Sequence, residues 1–203
     1  MKKSLKNDAQ KVLASYNAYL EPYVIQNDSL ACLLKKYPCH TNKSAVATKV
    51  KLLNLFYSTG IMATNAMAEH IFNIKDIDAR LACGDKRLVG EIAHLQLDNA
   101  VRNNYSFATK YCAYHQPDKY PIYDSMVAKT FTTLFSNDFL PEYKSYTKTS
   151  FAEKLKDYDF YVEFYDYFMD EFDLKEFSYR EVDAYIWGAL KIDQNFEIKK
   201  LKK

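Results

Sequence analysis

Glycine and proline are scarce in this chain: four glycines and five prolines serve 203 residues. So few turn formers cannot supply the many tight turns of a β-sandwich, and they suit long helices joined by short loops. No apolar run reaches the roughly 18 residues that a membrane span needs, and the opening MKKSLKNDAQ lacks the apolar segment of a secretory leader. The chain is therefore expected in the cytoplasm, away from membranes. Its cysteines, Cys32, Cys39, Cys83 and Cys112, form no C-x-x-C pair and have no histidine at zinc-finger spacing. Cys32 and Cys39 begin an iron–sulfur pattern, but the closely spaced cysteines that would complete it are missing. Buried, reduced thiols and no cluster are expected. Walker, H-E-x-x-H and G-x-S-x-G motifs are also absent, which removes the commonest nucleotide, metalloprotease and hydrolase readings. No metal and no cofactor is expected.

What the chain does have is rings. Eighteen tyrosines and thirteen phenylalanines lie within a composition that is 48% hydrophobic, so the core should be built from aromatic as much as aliphatic side chains. The length suits one all-helical domain over residues 1–203. The net charge of +2 is small, but it is unevenly spread. Residues 1–60 carry nine lysines against three acids, residues 61–135 carry eight charges of each sign, and residues 136–203 carry eleven basic against fifteen acidic. A basic N-terminal half could follow a phosphate backbone while acidic C-terminal helices face away, although solvated helix faces give the same counts.

Helical periodicity runs through most of the chain. Val12, Leu13, Tyr16, Tyr19 and Leu20 mark a first helix that should stop at Pro22, and a short second one should cover residues 29–37. Residues 44–57 and 61–72 read as an α-hairpin whose Ala63, Ala66 and Ala68 permit close packing. A short helix over residues 76–81 should end at the Cys83-Gly84-Asp85 turn, with Asp85 capping a helix through Leu95 that points Leu88, Ile92 and Leu95 inward. Asn103 and Asn104 then offer left-handed turn residues. A helix over residues 105–115 follows, then a loop with Pro117 and Pro121, then a helix capped by Asp124. After a loop-like stretch over residues 136–149, residues 150–173 read as one long acidic, ring-rich helix. Ser178 and Glu181 make a capping box for a last helix in which Val182, Ile186 and Trp187 seal the core. The tail over residues 199–203 should be frayed.

The stretch YSFATKYCAYHQPDKYPIYDSMV, residues 105–127, places Lys110 in one helix and Asp124 at the start of the next. Ala-Thr-Lys, an apolar helical stretch and Tyr-Pro-Ile-Tyr-Asp-Ser resemble the lysine helix and Pro-Val-Asp segment of the helix-hairpin-helix DNA glycosylases, in particular the 8-oxoguanine DNA glycosylase-like branch. The resemblance is specific over residues 104–127, and weaker similarity extends over about three quarters of the chain. It implies a compact multi-helix domain of that type, acting on damaged or modified bases in double-stranded DNA; the sequence leaves the oligomeric state open, with a monomer favoured. It also implies roles. Lys110 would attack the anomeric carbon and form a Schiff base, for which its amine must be neutral, and Asp124 would stabilise the charge developing on the sugar. A flipped base would need a ring-lined pocket. Asn103, Asn104 and Ser106 fall where the family's hairpin holds the DNA backbone, and His115 is placed to contact a phosphate or the base, or to cap its helix.

That hairpin is glycine-rich in the family, whereas Arg102-Asn103-Asn104-Tyr105-Ser106-Phe107 contains none. The second reading is therefore a non-catalytic binding module on the same fold, in a mobile-element or defence system. A third is an α-helical interaction domain. Other constellations are weaker. Glu91 and His94 have the spacing of a di-iron ligand pair without its second copy, and Glu69-His70 does not have the spacing. The acids Asp157, Asp159, Glu163, Asp166, Asp170, Glu171 and Asp173 fit a solvated helix face better than a calcium loop.

Overall fold

The computed structural model describes residues 4–19, 21–98, 100–136 and 140–191. Within them are eleven α-helices and a single two-stranded hairpin, which confirms the helical class. Leu20 and the tail lie outside the described residues. None of the described helices is long and apolar enough to cross a membrane. The chain divides into two compact units, one formed by Glu21–Ile122 and the other by residues 1–20 together with 123–203.

The second of these begins with α1 (Lys6–Tyr19); the first begins with α2 (Glu21–Lys36). Helix α1 ends ahead of Pro22 as expected, but α2 begins at Glu21 and not at residue 29, and so includes Pro22. Proline sits there in the first turn, where its missing N–H has no intrahelical partner to lose. The predicted α-hairpin is present as α3 (Lys43–Tyr57) and α4 (Thr64–Phe72). Asn42 caps α3 by accepting the Ala45 amide at 3.0 Å. Asn54 ties the connection down: its Oδ1 accepts the Ile61 amide at 2.9 Å, and its Nδ2 donates to the Ile61 carbonyl at 3.0 Å. The two helices pack together, and Val46, Val50, Met67, Ala68 and Ile71 are buried.

Helix α5 (Ile77–Cys83) ends at Gly84, which adopts the left-handed φ of 77°. Arg80 then bridges α5 to α6 (Arg87–Ala93), holding Asp85 at 2.9 Å and Glu91 at 2.5 Å. Asp85 accepts the Arg87 amide at 3.1 Å, one residue ahead of the helix cap. The helix does not reach Leu95. Instead β1 (His94–Leu97) and β2 (Ala100–Asn103) form an antiparallel hairpin that pairs His94 with Asn103 and Leu95 with Arg102. Leu88, Ile92 and Leu95 are all buried as expected, but Leu95 reaches the core from a strand between exposed neighbours. Nor are Asn103 and Asn104 left-handed, for Asn103 ends β2 and Asn104 has φ −101° at the start of α7 (Tyr105–His115). Among the described non-glycine residues only Ser58, Asp76 and Asp173 take positive φ.

The other unit holds α8 (Ser125–Ser136), a 3-10 turn at Pro141–Tyr143, α9 (Lys148–Lys154), α10 (Tyr158–Glu171) and α11 (Tyr179–Lys191). The long helix expected over residues 150–173 is thus two helices. Asp157 causes the break by turning its carboxylate to the Phe160 amide and capping α10 afresh. Its acids face solvent and its rings face inward as expected. Phe131 on α8 meets Tyr161, Phe164, Tyr165 and Phe168 with centroids 4.8 to 6.3 Å away. The Ser178–Glu181 capping box is formed, with the Ser178 amide donating to Glu181 at 2.8 Å and the Glu181 amide to Ser178 at 3.3 Å. Val182 and Ile186 are buried and Trp187 is half-buried. Helix α1 packs on α11, where the Tyr185 hydroxyl donates to Asp8 at 2.8 Å. The thiols differ from expectation: only Cys112 is buried, while Cys32, Cys39 and Cys83 stand exposed.

Candidate functional site

Helix α7 carries most of the residues singled out from the sequence. Asn104 precedes it and donates its amide to the Ala93 carbonyl at 2.8 Å, which fixes the strand-to-helix junction. Residues 107–113 are all buried, so Lys110 is a core lysine, 3% exposed. Its amine donates to the Ser106 hydroxyl, one turn earlier, at 2.8 Å. Asn103 is exposed at the end of β2. Asp124 belongs to the other compact unit, where its Oδ1 accepts the Met126 amide at 2.8 Å and caps α8 as the sequence predicts. The structure thus places Asn104 at the cap of one helix, Ser106 in its first turn and Lys110 one turn further on.

His115 is drawn into a different group. Its Nδ1–H donates to the Tyr111 carbonyl at 3.0 Å, which leaves the Nε2 lone pair facing the Lys49 amine at 3.1 Å. Lys49 sits on the inward face of α3, one turn from Val46 and one from Leu53, and is 2% exposed. Above Tyr111 the chain of hydrogen bonds continues. The Tyr111 hydroxyl donates to His40 Nε2 at 2.8 Å, and His40 Nδ1–H donates to Asp78 at 2.6 Å. The His40 amide adds a bond to the second Asp78 oxygen at 3.1 Å. The His40 and His115 rings lie 4.9 Å apart between centroids.

Burial governs the protonation of this group. It pushes His115 down to about 3, with the Lys49 charge acting in the same direction. Burial lowers His40 despite its bond to Asp78, and lowers the Lys49 ammonium despite the attraction of Asp78. Burial would raise Asp78, but the hydrogen bonds from the His40 ring and amide outweigh it and hold the carboxyl low. The group therefore sets Lys49, whose ammonium is weakened by burial, and two neutral imidazoles beside one carboxylate. A pocket of about 260 Å³ opens on it, lined by Asp78 and His115 together with Leu34, Cys39, Tyr114 and Gln116.

Sequence reasoning named His115 but missed His40, Lys49, Asp78 and Tyr111. A signal for Lys49 was present, because a lysine in phase with Val46, Val50 and Leu53 falls on the buried stripe of its helix. His40 and Asp78 lie 38 residues apart, and no local pattern joins them.

The comparisons with known proteins bear on the same region. No solved structure matches the chain. A protein of Haemophilus influenzae, named there as an uncharacterized protein, is 37% identical over 142 residues, which is 70% of this chain and 64% of that protein. The chain thus spans less than two thirds of this relative's length. The model of the HI_0787_N family, described as an N-terminal domain, matches residues 8–119, a stretch that holds His40, Lys49, Asp78, Lys110 and His115 and ends before Asp124. With more than half of its length matched, the chain belongs to the HI_0787_N family.

Proposed function

We propose that this chain is a small protein of the helix-hairpin-helix DNA glycosylase type that acts on damaged or modified bases in duplex DNA. It cleaves the N-glycosidic bond with Lys110 as nucleophile and Asp124 as the group that stabilises the sugar cation. The observation that carries the reading is the burial of Lys110. A lysine in mid-helix ordinarily keeps its ammonium in water, whereas this one is 3% exposed and bonded to a neutral hydroxyl. Withdrawal from water is what a nucleophilic amine requires. The placement of Asp124 at the start of α8 and the basic first sixty residues are also in keeping with it. In this reading Asn103, Asn104, Ser106 and His115 serve the substrate side.

Borohydride trapping on a duplex with an abasic site or 8-oxoguanine tests it. The expected result is a covalent adduct that disappears in Lys110→Gln, and no adduct with the wild-type protein overturns lyase chemistry. A glycosylase without lyase activity would give no adduct but would lose base release in Asp124→Asn.

One observation favours the second reading, a binding module without catalysis. The family's glycine-rich turn is replaced by a strand-to-helix junction, where the Asn104 amide is already bonded to Ala93 and does not face a phosphate. DNA binding that weakens with salt without base release would favour this reading.

A further inference from the structure

Next to the proposed glycosylase residues, and sharing His115 with them, His40, Lys49, Asp78, Tyr111 and His115 form a connected group of ionisable side chains. Buried ionisable side chains such as Lys49 and His40 are often no better for stability than apolar residues of the same size. The group's geometry is that of a primed amine. The tautomers follow from the partners: His115 Nδ1–H donates to the Tyr111 carbonyl, so the neutral ring's Nε2 accepts, and what it faces at 3.1 Å is the Lys49 amine. Asp78 and the Tyr111 hydroxyl hold His40 beside it in the same way.

Two cavities with shared lining residues lie beside the group. A void of about 10 Å³, the size of one water, has Lys49, Tyr111, Tyr114 and His115 in its wall. It shares Leu34, Tyr114 and His115 with the pocket of about 260 Å³ that opens at Asp78 and Cys39.

We propose that this pocket admits a small aldehyde or ketone and that Lys49 condenses with its carbonyl carbon to form an imine. The apolar wall of Leu34, Pro38 and Leu81 suits a short carbon chain, and Asp78 suits a hydroxyl on it. In the reaction Lys49 Nζ forms the C–N bond, and His115 Nε2 takes one N–H proton and returns it to the carbonyl oxygen. The C–O bond then breaks and the oxygen leaves as water, carrying both amine hydrogens. No oxidant or reductant is consumed. His115 acts directly in the proton transfer, and His40 and Asp78 are positioning residues. Burial, which lowers the Lys49 ammonium, acts in the direction that this chemistry needs.

Reductive trapping with glycolaldehyde and cyanoborohydride at pH 7, followed by peptide mass mapping, tests this on the intact chain. Exposed Lys51, two residues away on the same helix, is the internal reference. Lys49 should be alkylated roughly tenfold faster than Lys51, since burial weakens its ammonium and His115 Nε2 stands ready to take its proton. His115→Gln should slow Lys49 alone, with an unchanged far-UV spectrum to show that the fold persists. Labelling of Lys49 no faster than Lys51, or an unchanged Lys49 rate in His115→Gln, overturns the proposal. This outcome is separate from DNA trapping, which reports on Lys110.

Discussion

The Lys49 amine and His115 Nε2 meet at 3.1 Å, and the tautomer of His115 is set from its other side by the Tyr111 carbonyl. One helix carries the lysine and another the imidazole; Lys49 is buried and His115 half-buried. Each group therefore resists gaining a proton in the folded state and gains it readily once unfolded.

Acid should unfold the protein earlier than its carboxylates alone would require. Folded His115 stays neutral down to about 3, while the unfolded chain protonates it below about 6.5. The unfolded state therefore binds more protons, so this stability is present above pH 6.5 and falls by about 1.4 kcal/mol per pH unit below it. His40 acts with the same sign. Asp78, whose folded value is lowered, contributes above its ordinary value of 3.8 and is lost below that. The urea midpoint should fall steadily from pH 7 to 4.5, with a shallower slope in His115→Gln. A level midpoint would contradict the assignment of neutral imidazoles.

Removing the cap on α8 should cost little. Asp124→Ala loses the bond to the Met126 amide, worth about 1 kcal/mol, whereas Asp124→Asn keeps an acceptor there. Denaturant titration of both variants separates this structural role from the chemical one, because Asn should retain stability even where activity is lost.

The ring core of the acidic unit should respond with opposite signs at two neighbours. Phe131→Ala removes a fully buried ring from among four others and should cost about 3–5 kcal/mol. Tyr165→Phe should cost nothing and should gain up to about 1 kcal/mol, because the buried Tyr165 hydroxyl has no hydrogen-bond partner among the described residues. Thermal denaturation would read both, and a Tyr165→Phe variant that melts lower would show that the hydroxyl is satisfied.

Gly84 should resist replacement. At φ 77° an alanine is strained by about 1 kcal/mol or more, and its Cβ would come within 3.4 Å of the Lys119 side chain. Gly84→Asn should be milder in the same denaturation assay, because asparagine tolerates the left-handed region.

The parts of this fold that can be read from sequence are those with strong local signals. The helix over residues 105–115, the Asp124 cap and the Ser178–Glu181 box follow from proline, capping chemistry and 3.6-residue periodicity, and they stand where those signals place them. The misreadings come from signals that two structures share. Leu88, Ile92 and Leu95 fit one helical stripe, yet the same burial is reached by a helix followed by a strand. Pro22 signals either the end of one helix or the first turn of the next. At the candidate site Lys110 and Asp124 are marked by wording along the chain. The partnership of His40 with Asp78 and of Lys49 with His115 depends on tertiary packing, which periodicity does not report.

Residues 107–113 are buried on every side of α7. Most helices keep an outer face on which substitutions accumulate without effect, and this one has none over nearly two turns. Sequence drift there must be matched by compensating change in whatever each side chain touches, so α7 should be the slowest-changing helix of the chain and its amide hydrogens among the last to exchange.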